Sequence, residues 1–218
     1  MSHLIIESAI PSELLLELQT AVINGRFEDG RNTAHGLAKS LKNNQQLDST
    51  PYLALLDTVG KAIVHHPLLQ SYAIPQLACR PMVNRYAEGM EYGLHVDSAY
   101  LADIRTDLSY TLFLDDPSSY DGGELIVSGL PRATAFKLSP GTLVIYPTGA
   151  LHRVAPVTRG SRHAVVGWIQ SRLRSSEQRE IYGKLCSVRD AMKQNSPDIN
   201  ATLQLQECLE NLLRMWGN

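Results

Sequence analysis

Between Leu77 and Ser171 the chain runs as short apolar segments bounded by Gly, Pro, Asn and Asp, and this pattern restricts its fold more than any other feature. Runs of this length leave no room for a helix between turns, so they predict an antiparallel sandwich or barrel. The expected strands lie near Leu77–Tyr86, Tyr92–His95, Asp107–Leu114, Gly123–Val127, Ala133–Leu138, Thr142–Tyr146, Leu151–Val157 and His163–Ser171. Asp121-Gly122-Gly123 and Ser139-Pro140-Gly141 supply the residues that tight turns demand. About eight strands suit a jelly roll.

The flanks read as helices. Ser12 and Glu13 after Ile10-Pro11 form a helix start, Asn24-Gly25 a stop, and Leu14, Leu15, Leu18, Ala21 and Val22 fall on one face. Phe27–Thr33 is expected to be a loop and Ala34–Asn43 a weakly patterned helix. A further helix is predicted from Pro51 to His65, with Leu53, Leu56, Val59, Gly60 and Ile63 inward and Pro67 ending it. Toward the other end, Gln178–Arg189 and Ala201–Trp216 are predicted helices separated by Asn195-Ser196-Pro197-Asp198. In the last of them Leu205, Cys208, Leu209, Leu212, Leu213 and Trp216 make an apolar stripe, which can pack on its own domain or form the interface of a homodimer. The expected class is therefore α+β. Residues 1–76 are a helical support, 77–172 the strand-rich core and 173–218 a small helical segment.

A chain of 218 residues is long enough for one domain with a full core, or for one domain plus a helical appendage. Its net charge of -2, with signs mixed along the chain, leaves no basic stripe for nucleic acid. Cys79, Cys186 and Cys208 are odd in number and widely spaced, which suits a reducing compartment. With no signal-peptide pattern and no long apolar run, the expectation is a soluble cytoplasmic protein without membrane partners.

His95 and Asp97 stand two apart on a predicted strand, where i and i+2 share a face, so both can reach one metal ion. His152, at the start of a later strand, is a third ligand within reach in a rolled sheet. Two imidazoles and a carboxylate leave coordination positions open, which suits Fe(II) binding a chelating cosubstrate and dioxygen. Arg162 can hold a carboxylate through a fork of hydrogen bonds, with Arg153, Arg159 and His163 as competitors. Regular alternation allows only one of Arg162 and His163 to face the cavity. His65-His66 reads as a solvated helix end, because neighbouring helical residues point about 100° apart.

Asn84-Arg85-Tyr86, Gly89, His95-Val96-Asp97, Asp107-Leu108-Ser109, Asp121-Gly122-Gly123-Glu124-Leu125, Pro140-Gly141, Tyr146-Pro147, His152-Arg153-Val154 and Arg162, in this order, resemble the prolyl-4-hydroxylase-like Fe(II)/2-oxoglutarate dioxygenases. The set is most similar to the bacterial PKHD-type hydroxylases. The resemblance implies a double-stranded β-helix, Fe(II) on His95, Asp97 and His152, and the distal carboxylate of 2-oxoglutarate on Arg162. It also implies that Tyr86 hydrogen-bonds the cosubstrate and that Thr111 and Phe113 line the pocket, Phe113 replacing a hydroxyl-bearing residue of many relatives. The implied reaction hydroxylates a peptide or small molecule while 2-oxoglutarate goes to succinate, with L-ascorbate a candidate accessory. Tyr92, Tyr100, Asp103, Arg105 and Asp107 fall near the expected mouth, and 98–106 is a candidate lid. Two other readings stand at this point: a cupin-like metalloenzyme or zinc hydrolase that does not use 2-oxoglutarate, and a non-catalytic iron- or ligand-sensing module.

Overall fold

The computed structural model describes residues 3–33, 36–129, 132–195 and 198–217, the side chain of Asn195 excepted. Two antiparallel sheets face each other. The larger runs in the order Leu4–Ile6, Leu143–Pro147, Leu108–Phe113, Ser161–Ser171, Met82–Ala87, Gln45–Leu47, Phe27–Asp29, with Pro75–Ala78 also paired to Ser161–Ser171. The smaller runs Thr134–Phe136, Leu125–Val127, His152–Val154, Glu91–His95, Lys42–Asn43. Eight strands between residues 82 and 171 divide four and four between these sheets, giving the expected jelly roll, while Asp121–Gly122 with Val157–Arg159 and Tyr100–Leu101 with Ile104–Arg105 form two separate two-stranded ribbons.

Alternation along the strands sorts the side chains. In Leu108–Phe113, buried throughout, Leu108, Tyr110 and Leu112 pack toward the helices, whereas Phe113 joins Tyr86, Leu125, Val144, Tyr146 and Val154 between the sheets. Ser109 and Thr111 share that inner face and line its cavity. The helices Ser12–Asn24, Leu53–Val64 and Pro67–Ala73 cover the outer face through Leu14, Leu18, Ala21, Val22, Leu56, Val59, Ile63, Leu69 and Ala73. Burial holds the first helix without the expected serine cap: Pro11 is the N-cap residue and no side chain caps it. A cap contributes about 1 kcal/mol, less than burial of Leu18 alone at roughly 1.5–3 kcal/mol.

Several boundaries differ from the sequence expectation, each for a local reason. Pro67 opens a helix instead of only ending one, because a missing N–H costs nothing at a first turn. The run Leu77–Tyr86 is two strands split at Arg80-Pro81, and Leu151–Val157 is interrupted at Ala155-Pro156, where proline cannot donate to a ladder. Phe27–Thr33 is a strand and a short 3-10 turn instead of a loop. Of the helix expected over Ala34–Asn43, residues 34 and 35 lie outside the described residues, Gly36–Ser40 is helical, and Lys42–Asn43 is a strand. The N-terminal region thus adds edge strands to both sheets. Residues 42–47 pair first with Glu91–His95 of the smaller sheet and then with Met82–Ala87 of the larger, so one segment crosses between them.

The two C-terminal helices, Ser176–Asn195 and Ile199–Trp216, are longer than expected; of the breaker between them, residues 196 and 197 lie outside the described residues. Asp198 caps the second helix by accepting from the Ala201 N–H at 3.1 Å. Leu205, Leu209, Leu212, Leu213 and Trp216 pack on Leu173, Tyr182, Leu185 and Cys186 of the same chain, while Cys208 is exposed. No helix among the described residues is long and apolar enough to cross a membrane.

Candidate active site

His95 closes the strand Glu91–His95, His152 opens the strand His152–Val154, and the two are register partners on neighbouring strands. Asp97 follows two residues after His95. One ligand atom from each of the three lies within 4.8 Å of the others. Nε2 of His95 is 3.7 Å from Asp97 Oδ1, and Nε2 of His152 is 3.7 Å from Asp97 Oδ2. The other ring nitrogens are engaged: Nδ1 of His95 is 2.8 Å from the Gly93 carbonyl, and Nδ1 of His152 is 2.9 Å from that of Ala150. A carbonyl can only accept, so both Nδ1 atoms carry the proton and both Nε2 lone pairs face the carboxylate.

The carboxylate is held from behind. Trp168 Nε1 donates to Asp97 Oδ2 at 2.9 Å, and Ser109 Oγ donates to the same oxygen at 2.8 Å. Ser109 has one proton to give, so its 3.0 Å contact with Thr148 Oγ1 makes it the acceptor there. Burial alone would raise the Asp97 carboxyl; its contacts with His95, His152, Trp168 and Ser109 outweigh that and hold it at about 2. Burial, partly offset by Asp97, lowers His152, which favours the neutral ligating form. The ring of Tyr92 stacks on His95 with centroids 3.5 Å apart.

On the opposite sheet Arg162 is 2 % exposed and lines the same cavity. It is the register partner of Tyr86, and its guanidinium carbon lies 5.4 Å from the Tyr86 ring and 5.2 Å from that of Phe113. Its Nε has no hydrogen-bond partner, and no carboxylate among the described residues pairs with it. A buried, permanently charged fork without an acid calls for an anionic ligand. Gly123 admits it closely: a Cβ there would lie 3.1 Å from Arg162 Cδ.

The competitors for this role are occupied elsewhere. Arg159 is exposed and pairs with Asp121 at 2.7 Å, Arg153 is exposed, and His163, on the other face of the strand, lies 3.0 Å from Asp115. Tyr86 and Thr111 are both buried and line the cavity; burial raises the Tyr86 phenol to about 12, so it is a neutral donor. Phe113 lies against Arg162 and offers no hydroxyl. At the mouth, Ser98 and Leu101 line the cavity, but Arg105 and Asp107 pair with each other at 2.8 Å and anchor the hairpin Tyr100–Arg105 to Ser171. His65 contacts the Lys61 carbonyl and His66 caps the next helix.

Sequence reasoning missed Trp168, Ser109 and Lys42 as site residues. Counting in twos from Arg162 leads to Trp168, and Ser109 shares a face with Thr111, so period two could have found both. Lys42 was hidden by the expectation of helix over a segment that is strand.

Residues 81–170 match the model of the 2OG-Fe(II) oxygenase superfamily. A PKHD-type hydroxylase of Maricaulis maris (strain MCS10) is 42% identical over 97% of this chain and 97% of its own. Another, of Hyphomonas neptunium (strain ATCC 15444), is 38% identical over 99% of each. The crystal structure of a Pseudomonas putida prolyl-4-hydroxylase, 21% identical, superposes with a TM-score of 0.52 over 78% of this chain and 92% of its own, which establishes a shared fold. With near-full-length identity of this order on a jelly roll whose sheets converge on a His-Asp-His group, the chain belongs to the PKHD-type hydroxylases, Fe(II)- and 2-oxoglutarate-dependent dioxygenases of the 2OG-Fe(II) oxygenase superfamily.

Proposed function

We propose that His95, Asp97 and His152 hold the Fe(II) of this hydroxylase, that Arg162 receives the distal carboxylate of 2-oxoglutarate, and that Tyr86 and Thr111 line the cosubstrate's path. The observation that carries the proposal is the buried Arg162 without an acid, in the same cavity as the three ligand atoms. Charge supports it: a divalent ion less the Asp97 carboxylate, plus Arg162, leaves two positive charges for a dianion. When bound, Fe(II) and 2-oxoglutarate supply the oxidising chemistry, in which one oxygen atom of dioxygen enters succinate as carbon dioxide leaves and the other enters a C–H bond of the prime substrate. The chain's residues orient and exclude. The two neutral imidazoles present Nε2, Trp168 and Ser109 fix Asp97, and Tyr86, Phe113, Tyr146 and Val154 keep the interior dry.

The catalytic core under this proposal is 77–172, with 1–76 supporting it and 173–218 appended. The prime substrate is a peptide or small molecule, L-ascorbate is an accessory reductant, and the cytoplasm is the site of action. A homodimer would need a face other than the last helix's stripe, which is used internally; sedimentation decides it. Anaerobic addition of Fe(II) and 2-oxoglutarate is expected to give the metal-to-ligand absorbance of a chelate. Arg162→Met should weaken 2-oxoglutarate about 100-fold, since two charge-assisted hydrogen bonds contribute roughly 1.5 kcal/mol each, and leave metal affinity unchanged. Unaltered 2-oxoglutarate affinity in that variant overturns the assignment.

A further inference from the structure

With Arg162 given to the cosubstrate, a second cation in the same cavity is left without a role. Lys42 is 7 % exposed and sits on the edge strand of the smaller sheet as the register partner of Tyr92. Its Nζ lies 5.5 Å from the centre of the Tyr92 ring, which also stacks on His95. Among the described residues its one hydrogen-bond partner is Thr33 Oγ1 at 3.0 Å, and no carboxylate pairs with it. An ammonium offers three donors, and among the described residues only one of them has an acceptor.

The surroundings hold this lysine in place. Thr33 Oγ1 is 2.9 Å from Gln46 Oε1, and Gln46 is the register partner of Asn84. Asn84, 6 % exposed, lines the cavity, and its Oδ1 is buried without a partner. The cavity therefore carries an under-used cation on the smaller sheet and an unused acceptor on the larger, joined through Thr33 and Gln46. Ala38, Val96 and Leu101 add apolar lining to the same cavity. Burial lowers the Lys42 amine to about 8, so it remains mostly charged at neutral pH in a place that disfavours charge.

We propose that Lys42 binds a carboxylate on the prime substrate and that Asn84 Oδ1 accepts from an N–H of the same molecule, which is thus an acid bearing an N–H donor and an apolar body: an N-acylated amino acid, or the chain end or acidic side chain of a peptide. The assignment rests on Arg162 being the cosubstrate's anchor, because it is that assignment which leaves Lys42 free.

The test is calorimetry on the anaerobic Fe(II)- and 2-oxoglutarate-loaded protein, with N-acetylglycine as the chain-end probe and N-acetylglutamic acid α-amide as the side-chain probe. N-Acetylglycinamide is the uncharged control. At least one acid should bind, and at least about tenfold more tightly than the amide, as expected for a charge-assisted hydrogen bond. Which acid binds identifies the origin of the carboxylate. Lys42→Met should lose that preference and Lys42→Arg keep it, while 2-oxoglutarate affinity in Lys42→Met stays within about twofold of wild type. Absence of binding by both acids, equal binding of acid and amide, or an acid preference that survives Lys42→Met overturns the proposal. A tenfold loss of 2-oxoglutarate affinity in Lys42→Met also overturns it, by giving Lys42 to the cosubstrate. If 2-oxoglutarate fails to bind wild type at all, it is the Arg162 assignment that falls.

Discussion

Replacing Trp168 by Phe keeps an aromatic body in the strand and removes one N–H, the donor 2.9 Å from Asp97 Oδ2. Ser109 then holds that oxygen alone. A hydrogen bond to a buried charge contributes about 1.5–3 kcal/mol, but this one exists with or without metal, so most of it belongs to the fold. What metal binding loses is the fixed aim of the carboxylate between the two Nε2 atoms, for which outer-shell substitutions weaken affinity roughly 10–100-fold. The lower end applies here, because a second donor survives. The expected outcome for Trp168→Phe is about tenfold weaker binding of Co(II) in a competitive chelator titration, with unfolding in urea about 1–2 kcal/mol easier. Removing a donor also favours protonation of Asp97, so the acid limb of the metal-binding pH profile should move upward. Trp168→Phe combined with Ser109→Ala should lose more affinity than the two single losses added in free energy, since the single variants each leave the oxygen one donor. Metal affinity within twofold of wild type, with only the stability loss present, would refute the claim that Trp168 positions the ligand.

Two further outcomes follow from burial and packing. Lys42 is held at about 8 against an ordinary 10.5, so the unfolded chain binds the extra proton between those values and the metal-free protein should gain stability as pH rises from 8 to 10.5. Lys42→Met should abolish that rise and stabilise the protein at pH 7 by about 1–3 kcal/mol in urea unfolding, by relieving a buried charge. Gly167 is the register partner of the fully buried Tyr110, and a Cβ at Gly167 would lie 2.3 Å from the Tyr110 hydroxyl oxygen. Gly167→Ala should therefore destabilise by about 1–3 kcal/mol, read as a drop of roughly 3–10 °C in thermal unfolding.

The sheets were legible because turn residues and period two act locally: Gly122-Gly123 and Gly141 take left-handed backbone at the turns expected of them, and the two-residue spacing of His95 and Asp97 sets their ligand atoms close together. Proline was harder to read. Pro81 and Pro156 break expected strands and Pro67 begins a helix, because whether a missing N–H matters depends on the neighbouring strand or turn. The strands at 27–29 and 42–47 were not legible, since strands of two or three residues at the margin of a sheet owe their existence to the sheets they join. For the same reason Lys42 escaped notice: its burial depends on Thr33 and Tyr92, far from it in pattern. Trp168 illustrates the intermediate case, with its face readable from Arg162 but its partner, Asp97, set only by closure of the roll.

The segment 42–47, paired to one sheet at its start and to the other at its end, has a consequence for which acids the enzyme accepts. His95 and His152 belong to the smaller sheet and Arg162 to the larger, so under the proposed assignment the cosubstrate reaches from one to the other. Facing sheets stand about 10 Å apart, and a strap stitched into both keeps that interval from opening or narrowing. Under the proposed assignment the cavity is expected to work as a ruler, admitting a 2-oxo acid whose carbon backbone matches the interval and rejecting oxaloacetate, one carbon short, and 2-oxoadipate, one carbon long.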